Sequence, residues 1–168
     1  MNTRSQARAF SLVELVIVVV IIGVIAAIAV PRISRGARGA GEAALRGDLA
    51  SLRNSIDMYA AEHGGTWPGA DGSDVTLTEQ LTKKTNATGA TVGPNLIYGP
   101  YLRGGFPPIP VGPNVGESGV IMTIAADITT AIDEVLDPTK AWVYNYQTGD
   151  IIANTDDPDE KGDGFETY

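Results

Sequence analysis

A single acidic residue stands at the start of an otherwise apolar N-terminal segment. No residue from Leu15 to Val30 is polar, and Glu14 lies directly before this run. A carboxylate within a membrane-spanning segment costs about 2.5–3.5 kcal/mol on insertion scales, and such residues usually have a function. The chemistry open to it is ion pairing, because a buried carboxylate needs a counter-charge. An N-terminal ammonium group can provide that charge.

A second candidate for chemistry is an acidic stretch near the end of the sequence. Its carboxylates are Asp156, Asp157, Asp159 and Asp163, on a loop that also contains two glycines. Hard oxygen ligands on such a loop suit Ca²⁺, although the spacing does not match an EF-hand. Two interpretations stay open: a calcium site formed by these four residues, and a solvated acidic tail.

Enzymatic chemistry has little to draw on in this sequence. There is one histidine, His63, and there is no cysteine. The lack of cysteine excludes disulfides, thiolate metal sites and a cysteine nucleophile. No Gly-x-Ser-x-Gly motif or paired-carboxylate pattern is present either. We therefore expect no catalytic residues, and His63 is predicted to cap the end of a helix.

The N-terminal apolar segment has the length of a membrane span. Phe10 to Val30 covers 21 residues, which as a helix measures roughly 31 Å at about 1.5 Å per residue. The preceding residues carry Arg4 and Arg8 and no acid, so the N-terminus is predicted to stay in the cytoplasm. An ordinary signal peptide has a shorter apolar region, of about 7–15 residues. A plain single-span anchor leaves Glu14 without an explanation.

The residues around the start of this span resemble a known leader. The string AFSLVEL from Ala9, followed by a Val/Ile/Ala run and Pro31, resembles type IV pilins and type II secretion pseudopilins over residues 1–35. The resemblance implies that prepilin peptidase cuts between Ala9 and Phe10 and that the new Phe10 amine is methylated. It also implies that Glu14 pairs with that amine on a neighbouring subunit during assembly. The chain departs from the family at Ala9, where glycine is usual.

Two helix-weakening residues, Gly23 and Pro31, lie in the same segment. Proline removes a backbone donor and kinks a helix, and glycine weakens it by about 1 kcal/mol. In filaments of related pilins the stretch between such residues can unwind, which here is 23–31. A simple bend at the membrane surface is the other interpretation.

The remaining sequence predicts the rest of a pilin-like architecture. We divide the chain into a leader (1–9), a transmembrane or filament-core helix (10–31), its amphipathic continuation (32–63) and a globular region with loops, hairpin and acidic tail (64–168). The apolar stripe of the amphipathic part is Leu45, Leu49, Leu52, Ile56 and Tyr59. Gly64 and Gly65 are predicted to end the helix.

Strand signals come late in the sequence. Residues 120–125 are short and apolar, and Trp142, Tyr144 and Tyr146 alternate before a turn at 147–150, which predicts a hairpin. A short helix is predicted around 78–81, with Thr76 or Thr78 as its cap, and 128–136 is predicted to be a helical turn or a loop. The predicted fold class is α+β, with a long N-terminal helix packed on a small C-terminal antiparallel sheet.

The resemblance implies a structural subunit of a type II secretion pseudopilus or a type IV pilus. Implied partners are further copies, minor pilins or pseudopilins, prepilin peptidase, an inner-membrane platform protein with its assembly ATPase, and the lipid bilayer. The implied location is the cytoplasmic membrane, in a single pass with the C-terminal domain outside. A terminal hairpin with an acidic loop favours a pseudopilin, and major pseudopilins carry a Ca²⁺ loop there.

Charge narrows the list of partners further. The chain has 12 basic and 20 acidic residues, a net charge of −8. We expect no nucleic-acid binding, because phosphate contacts need lysine and arginine. The alternative function is a membrane-tethered extracytoplasmic binding domain that does not polymerise.

Overall fold

The computed structural model describes residues 11–132, 137–159 and 161–168. Its contacts divide the chain into two units, Met1–Arg38 and Gly39–Tyr168. A single helix, α1, is assigned over Leu12–Glu62, continuous in backbone through Gly23 and Pro31. Apart from Ser11, the described part of the first unit is therefore helical.

The apolar side chains of the first unit are left uncovered. Every large apolar side chain described between Leu12 and Ile33 is at least 46% exposed. Leu12–Val30 forms a 19-residue helical stretch that is long and apolar enough to cross a membrane. Because none of the described residues covers this surface, its burial requires lipid or another molecule.

The second unit begins with the amphipathic part of α1, and the predicted stripe is confirmed. The five stripe residues, Leu45, Leu49, Leu52, Ile56 and Tyr59, are at most 2% exposed. The helix ends at Glu62 as the sequence predicts. Gly64 and Gly65 follow with φ of 66° and 86°, and the Gly65 amide donates to the Ala60 carbonyl oxygen at 2.8 Å. Glycine adopts this left-handed backbone without steric cost.

The second helix, α2, spans Asp74–Thr82 and begins earlier than predicted. Neither Thr76 nor Thr78 is its cap. Ser73 takes that position in extended conformation, and its side chain accepts from the Thr76 amide at 3.2 Å. Serine is among the preferred N-cap residues, and the predicted segment at 78–81 covers only the second half of the helix.

Three strands form one sheet in the order β1-β2-β3, with β1 at Gly119–Thr123, β2 at Lys140–Asn145 and β3 at Ile151–Ala153. The hairpin is confirmed, because β2 and β3 pair antiparallel. However, β1 pairs parallel to β2, so the sheet is mixed and the expectation of an antiparallel sheet was wrong for this pair. Residues 124–139 separate the two strands, which is long enough for the crossover that parallel pairing requires. The predicted α+β class is confirmed, and the architecture is consistent with a pilin fold.

The central strand β2 carries the middle of the core. Trp142, Val143 and Tyr144 are all fully buried, because β2 has a neighbour on each edge and packing on both faces. The Trp142 indole nitrogen donates to the Pro107 carbonyl oxygen at 2.9 Å, and the Tyr144 hydroxyl donates to that of Pro68 at 3.0 Å. Tyr146 lies beyond the end of β2. Residues 128–131 form a short 3₁₀ turn, one of the two predicted forms.

Candidate functional site

Glu14 lies in the first turn of α1 and closes its N-terminal end. One of its carboxylate oxygens accepts from the Ser11 amide at 3.0 Å, and the Ser11 hydroxyl oxygen accepts from the Val13 amide at 3.3 Å. The two side chains satisfy helix-end amides reciprocally, as in a capping box. Sequence reasoning missed this contact, although Ser-x-x-Glu is its signature. Glu14 is exposed, so its carboxylate also remains accessible to a second molecule.

The acidic segment near the end of the chain is organised around Asp159. This side chain is buried, and its Oδ1 accepts from the amides of Lys161 and Asp163 at 2.7 and 3.0 Å. Its Oδ2 accepts from the Tyr168 hydroxyl at 2.6 Å and lies 3.3 Å from the Arg46 guanidinium. The four lone-pair positions of the carboxylate are therefore occupied by protein donors.

Arg46 links this segment to α1 by two further contacts. Its guanidinium donates to the Tyr168 hydroxyl oxygen, and its carbon Cζ lies 4.1 Å from the centroid of the Tyr168 ring. The arrangement combines a hydrogen bond with a cation–π contact. Nearby, Arg53 donates to the Tyr168 carbonyl oxygen and, at 3.1 Å, to that of Ile151. The segment is thus attached to the helix at two points.

A family model for the prokaryotic N-terminal methylation motif matches residues 4–30. The match covers the basic flank, Glu14 and the apolar run up to Val30. This is a type IV pilin-like N-terminus. Such a motif points to a structural protein rather than an enzyme. Comparisons with curated proteins and with solved structures found no match.

Several predicted sites of the pilin-like N-terminus stay predictions. The cut between Ala9 and Phe10, and the methylated Phe10 amine, lie outside the described residues. At Gly23 and Pro31 the backbone is helical, with α1 uninterrupted, and unwinding in a filament stays a prediction. Membrane anchoring agrees with the methylation motif and the 19-residue apolar helix together.

The calcium site also stays a prediction. Among the described residues, no group of three or more His, Cys, Asp or Glu side chains is arranged to hold a metal ion. The carboxylates of Asp156, Asp157 and Asp163 are exposed, whereas that of Asp159 is taken up by the contacts above. Calcium binding through Asp159 would have to replace some of those hydrogen bonds.

His63 lies directly after α1 and forms a structural contact. Its Nδ1 is 2.8 Å from the Tyr59 carbonyl oxygen, and its Nε2 is 3.0 Å from both the Thr85 hydroxyl and the Asn86 carbonyl oxygen. The ring stacks on Tyr59 at 3.9 Å between centroids. Bound on both ring nitrogens, His63 joins the helix end to the following loop, as expected for a capping role.

The contacts of Asp159 predict an acid-sensitive fold for the second unit. The hydrogen bond from the Tyr168 hydroxyl is the main cause that lowers the Asp159 pKa from 3.8 to about 2, against the opposing effect of burial. Because the folded pKa lies below the unfolded one, the carboxylate stabilises the fold above pH 4, and this stabilisation is lost as the pH falls toward 2. We expect the urea midpoint, measured in calcium-free buffer, to fall over that range. Asp159→Asn should flatten the fall, whereas the exposed Asp156→Asn should leave it unchanged.

Proposed function

We propose that the chain is a filament subunit of a type II secretion pseudopilus or a related type IV pilus. It is made as a precursor, cut between Ala9 and Phe10 by prepilin peptidase, and methylated at Phe10. Residues 10–31 hold it in the cytoplasmic membrane until assembly, with the N-terminus in the cytoplasm and residues 39–168 outside. Copies then polymerise with minor pilins or pseudopilins, driven by an assembly ATPase and a platform protein.

The observation that carries this proposal is the position of Glu14. It is the one carboxylate between residues 1 and 41, and it lies at the N-terminal end of an apolar helix inside the methylation motif. A simple anchor needs no charge there and would insert better without it. Pairing with the methylated Phe10 amine of a neighbour gives the carboxylate a counter-charge in an apolar filament core.

The uncovered face of α1 supports the same proposal. Its described large apolar side chains from Leu12 to Ile33 are exposed. Lipid covers such a surface before assembly, and equivalent helices of other copies can cover it afterwards. The transfer exchanges one apolar environment for another, so it has no large hydrophobic cost. The assembly ATPase then has to supply mainly the work of moving each subunit from the membrane into the filament.

Processing at Ala9 distinguishes a filament subunit from a tethered binding domain that never polymerises. We expect Ala9→Leu to accumulate as the uncut precursor and to give no filaments, because the peptidase site requires a small residue before the cut. Ala7→Leu, two residues upstream, is the matched control and should be cut normally. Mass spectrometry of the unsubstituted chain should find a methylated Phe10 at its N-terminus. If the chain instead starts at Met1, is unmethylated and still inserts into the membrane without forming filaments, the tethered binding domain is the better interpretation.

A further inference from the structure

Charge is divided unequally along this chain. Residues 39–168 contain 19 acidic and 7 basic residues, a net charge of −12, whereas 32–38 contain three arginines and no acid. Copies of so acidic a domain repel one another at close range. Once the leader is removed, this arginine segment (Arg32, Arg35 and Arg38) is the basic stretch that each copy retains outside its acidic domain.

Four of the seven basic side chains within the acidic domain make contacts within their own fold. Ion pairs join Arg46 to Asp159, Lys83 to Glu79 and Lys140 to Asp74, at 3.3, 2.7 and 3.1 Å. Arg53 donates to backbone carbonyl oxygens instead. Among the described residues, these ion pairs engage three carboxylates of the domain, Asp159, Glu79 and Asp74.

Two other carboxylates of the domain line a cleft of about 400 Å³ within the second unit. Asp57 projects from α1, and Asp150 belongs to the turn between β2 and β3. Within the described part of the chain, neither forms an ion pair, although Asp150 accepts from the Thr148 hydroxyl at 2.6 Å. Arg53 lies one turn before Asp57 but faces the carbonyl oxygen of Ile151. With Arg53 included, the charged groups of the cleft sum to −1, so one further cation makes it neutral.

An aromatic ring also lines the cleft. Trp67 is half-buried and packs on Gly149, where an added Cβ would lie 2.5 Å from a ring carbon. Gly149 has φ of 80°, a conformation that favours glycine, so this close packing holds the indole in place. Two carboxylates beside a fixed indole suit a guanidinium group, which pairs with carboxylates in bidentate geometry and stacks on tryptophan.

We propose that the arginine segment of one copy docks in the Asp57–Asp150 cleft of another copy. The inference rests on the proposed filament function, because it requires copies that pack side by side. It gives each acidic domain a cation from its neighbour and so removes part of the repulsion between copies. The docking would act together with pairing at Glu14 and would fix how the acidic domains lie around the filament.

Anionic lipid headgroups are the other partner for arginines next to a membrane span. The charge of the chain disfavours this partner. The domain with net charge −12 begins at Gly39, directly after Arg38, and an anionic surface repels it. The same domain is what makes a second copy attractive to the arginine segment.

The absence of native cysteine allows a direct cross-linking test. Asp57→Cys is co-expressed in turn with Arg32→Cys, Arg35→Cys or Arg38→Cys, and sheared filaments are oxidised. We expect a disulfide-linked dimer from at least one of these pairs. Asp57→Cys with Arg103→Cys, an exposed arginine within the acidic domain, is the matched control and should give none.

Neutral substitutions test the same docking by its effect on assembly. The triple variant Arg32→Gln, Arg35→Gln, Arg38→Gln should lower filament yield roughly tenfold, the scale of one charge-assisted contact. Asp57→Asn with Asp150→Asn should lower it similarly. Arg103→Gln and Glu117→Gln, both at exposed sites away from the cleft, should leave it unchanged. All variants should still be cut and inserted normally.

The outcomes separate this inference from the proposed function. Normal filament yield from the triple variant, without any cross-link, overturns the docking and leaves the filament function standing. An unsubstituted chain that never polymerises overturns the filament function itself. If the triple variant loses binding to phosphatidylglycerol vesicles while its filament yield stays normal, the docking is overturned and the segment is a lipid site.

Discussion

Glu14→Ala should reduce filament yield to background while processing at Ala9 and membrane insertion continue. Insertion should be no worse than in the unsubstituted chain, because the carboxylate costs about 2.5–3.5 kcal/mol on insertion scales. In the proposed assembly, the substitution removes the charge that would pair with the Phe10 amine of the next subunit. Leaving one partner of a buried pair uncompensated costs about 3–5 kcal/mol, which corresponds to roughly a hundredfold to several-thousandfold loss. Immunoblots of sheared and membrane fractions measure both quantities.

The hydrogen bond of Glu14 to the Ser11 amide requires a control that separates charge from helix capping. Glutamine at position 14 can keep the capping bond, because Glu and Gln both serve at this position of a capping box, but it has no charge. Ser11→Ala removes the hydroxyl that caps Val13 and keeps the charge. If assembly depends on the charge, Glu14→Gln should fail as completely as Glu14→Ala, and Ser11→Ala should assemble. Filaments from Glu14→Gln would instead assign Glu14 to helix capping alone.

The amphipathic part of the fold was predictable because local and tertiary signals agree there. The stripe from Leu45 to Tyr59 repeats at helical spacing, and Gly64 and Gly65 can take the left-handed backbone that ends a helix. The hairpin was equally predictable from the sequence, since a short turn between β2 and β3 permits only antiparallel pairing. In each case a few adjacent residues determine the structure.

The pairing of β1 could not be predicted in the same way. Its direction depends on the path of residues 124–139, and a short apolar strand such as Gly119–Thr123 has no alternation that reveals its neighbours. The burial of Val143 has the same origin, because it follows from β1 lying beside β2. Such contacts join residues far apart in sequence, so no local pattern encodes them.

The candidate sites also differ in whether a local sequence pattern or a contact between distant residues defines them. Glu14 stands out in the sequence because a lone carboxylate beside an apolar run is unusual. The commitment of Asp159 could not be read from its neighbours, since the Arg46 and Tyr168 contacts come from positions 113 residues before it and 9 after it. The Asp57–Asp150 cleft likewise joins α1 to the β2–β3 turn. The sequence shows where the acidic residues lie, but only the tertiary structure shows which of them have partners.

Trp142→Ala should be the most damaging substitution in the second unit. The side chain is fully buried in the central strand, and large-to-small changes of tryptophan cost about 3–5 kcal/mol. The Pro107 carbonyl oxygen would also lose its donor at 2.9 Å, which adds about 1–3 kcal/mol if water cannot reach it. The total free energy of unfolding of a domain of this size is about 5–15 kcal/mol. We therefore expect the folded state to be marginal or lost.

Hydrogen exchange of β2 and β3 in the full chain, held in detergent, should show this loss as fast exchange, while the helix at 12–30 stays protected. Trp142→Phe is the matched control, because it keeps most of the buried area and removes only the indole donor. It should retain slow exchange in both strands with a smaller drop in urea midpoint. Trp67→Ala, at a half-buried position, should have a urea midpoint between those of the unsubstituted chain and Trp142→Ala. Strand protection that survives Trp142→Ala would mean that α1 and the loops, rather than β2, hold the core together.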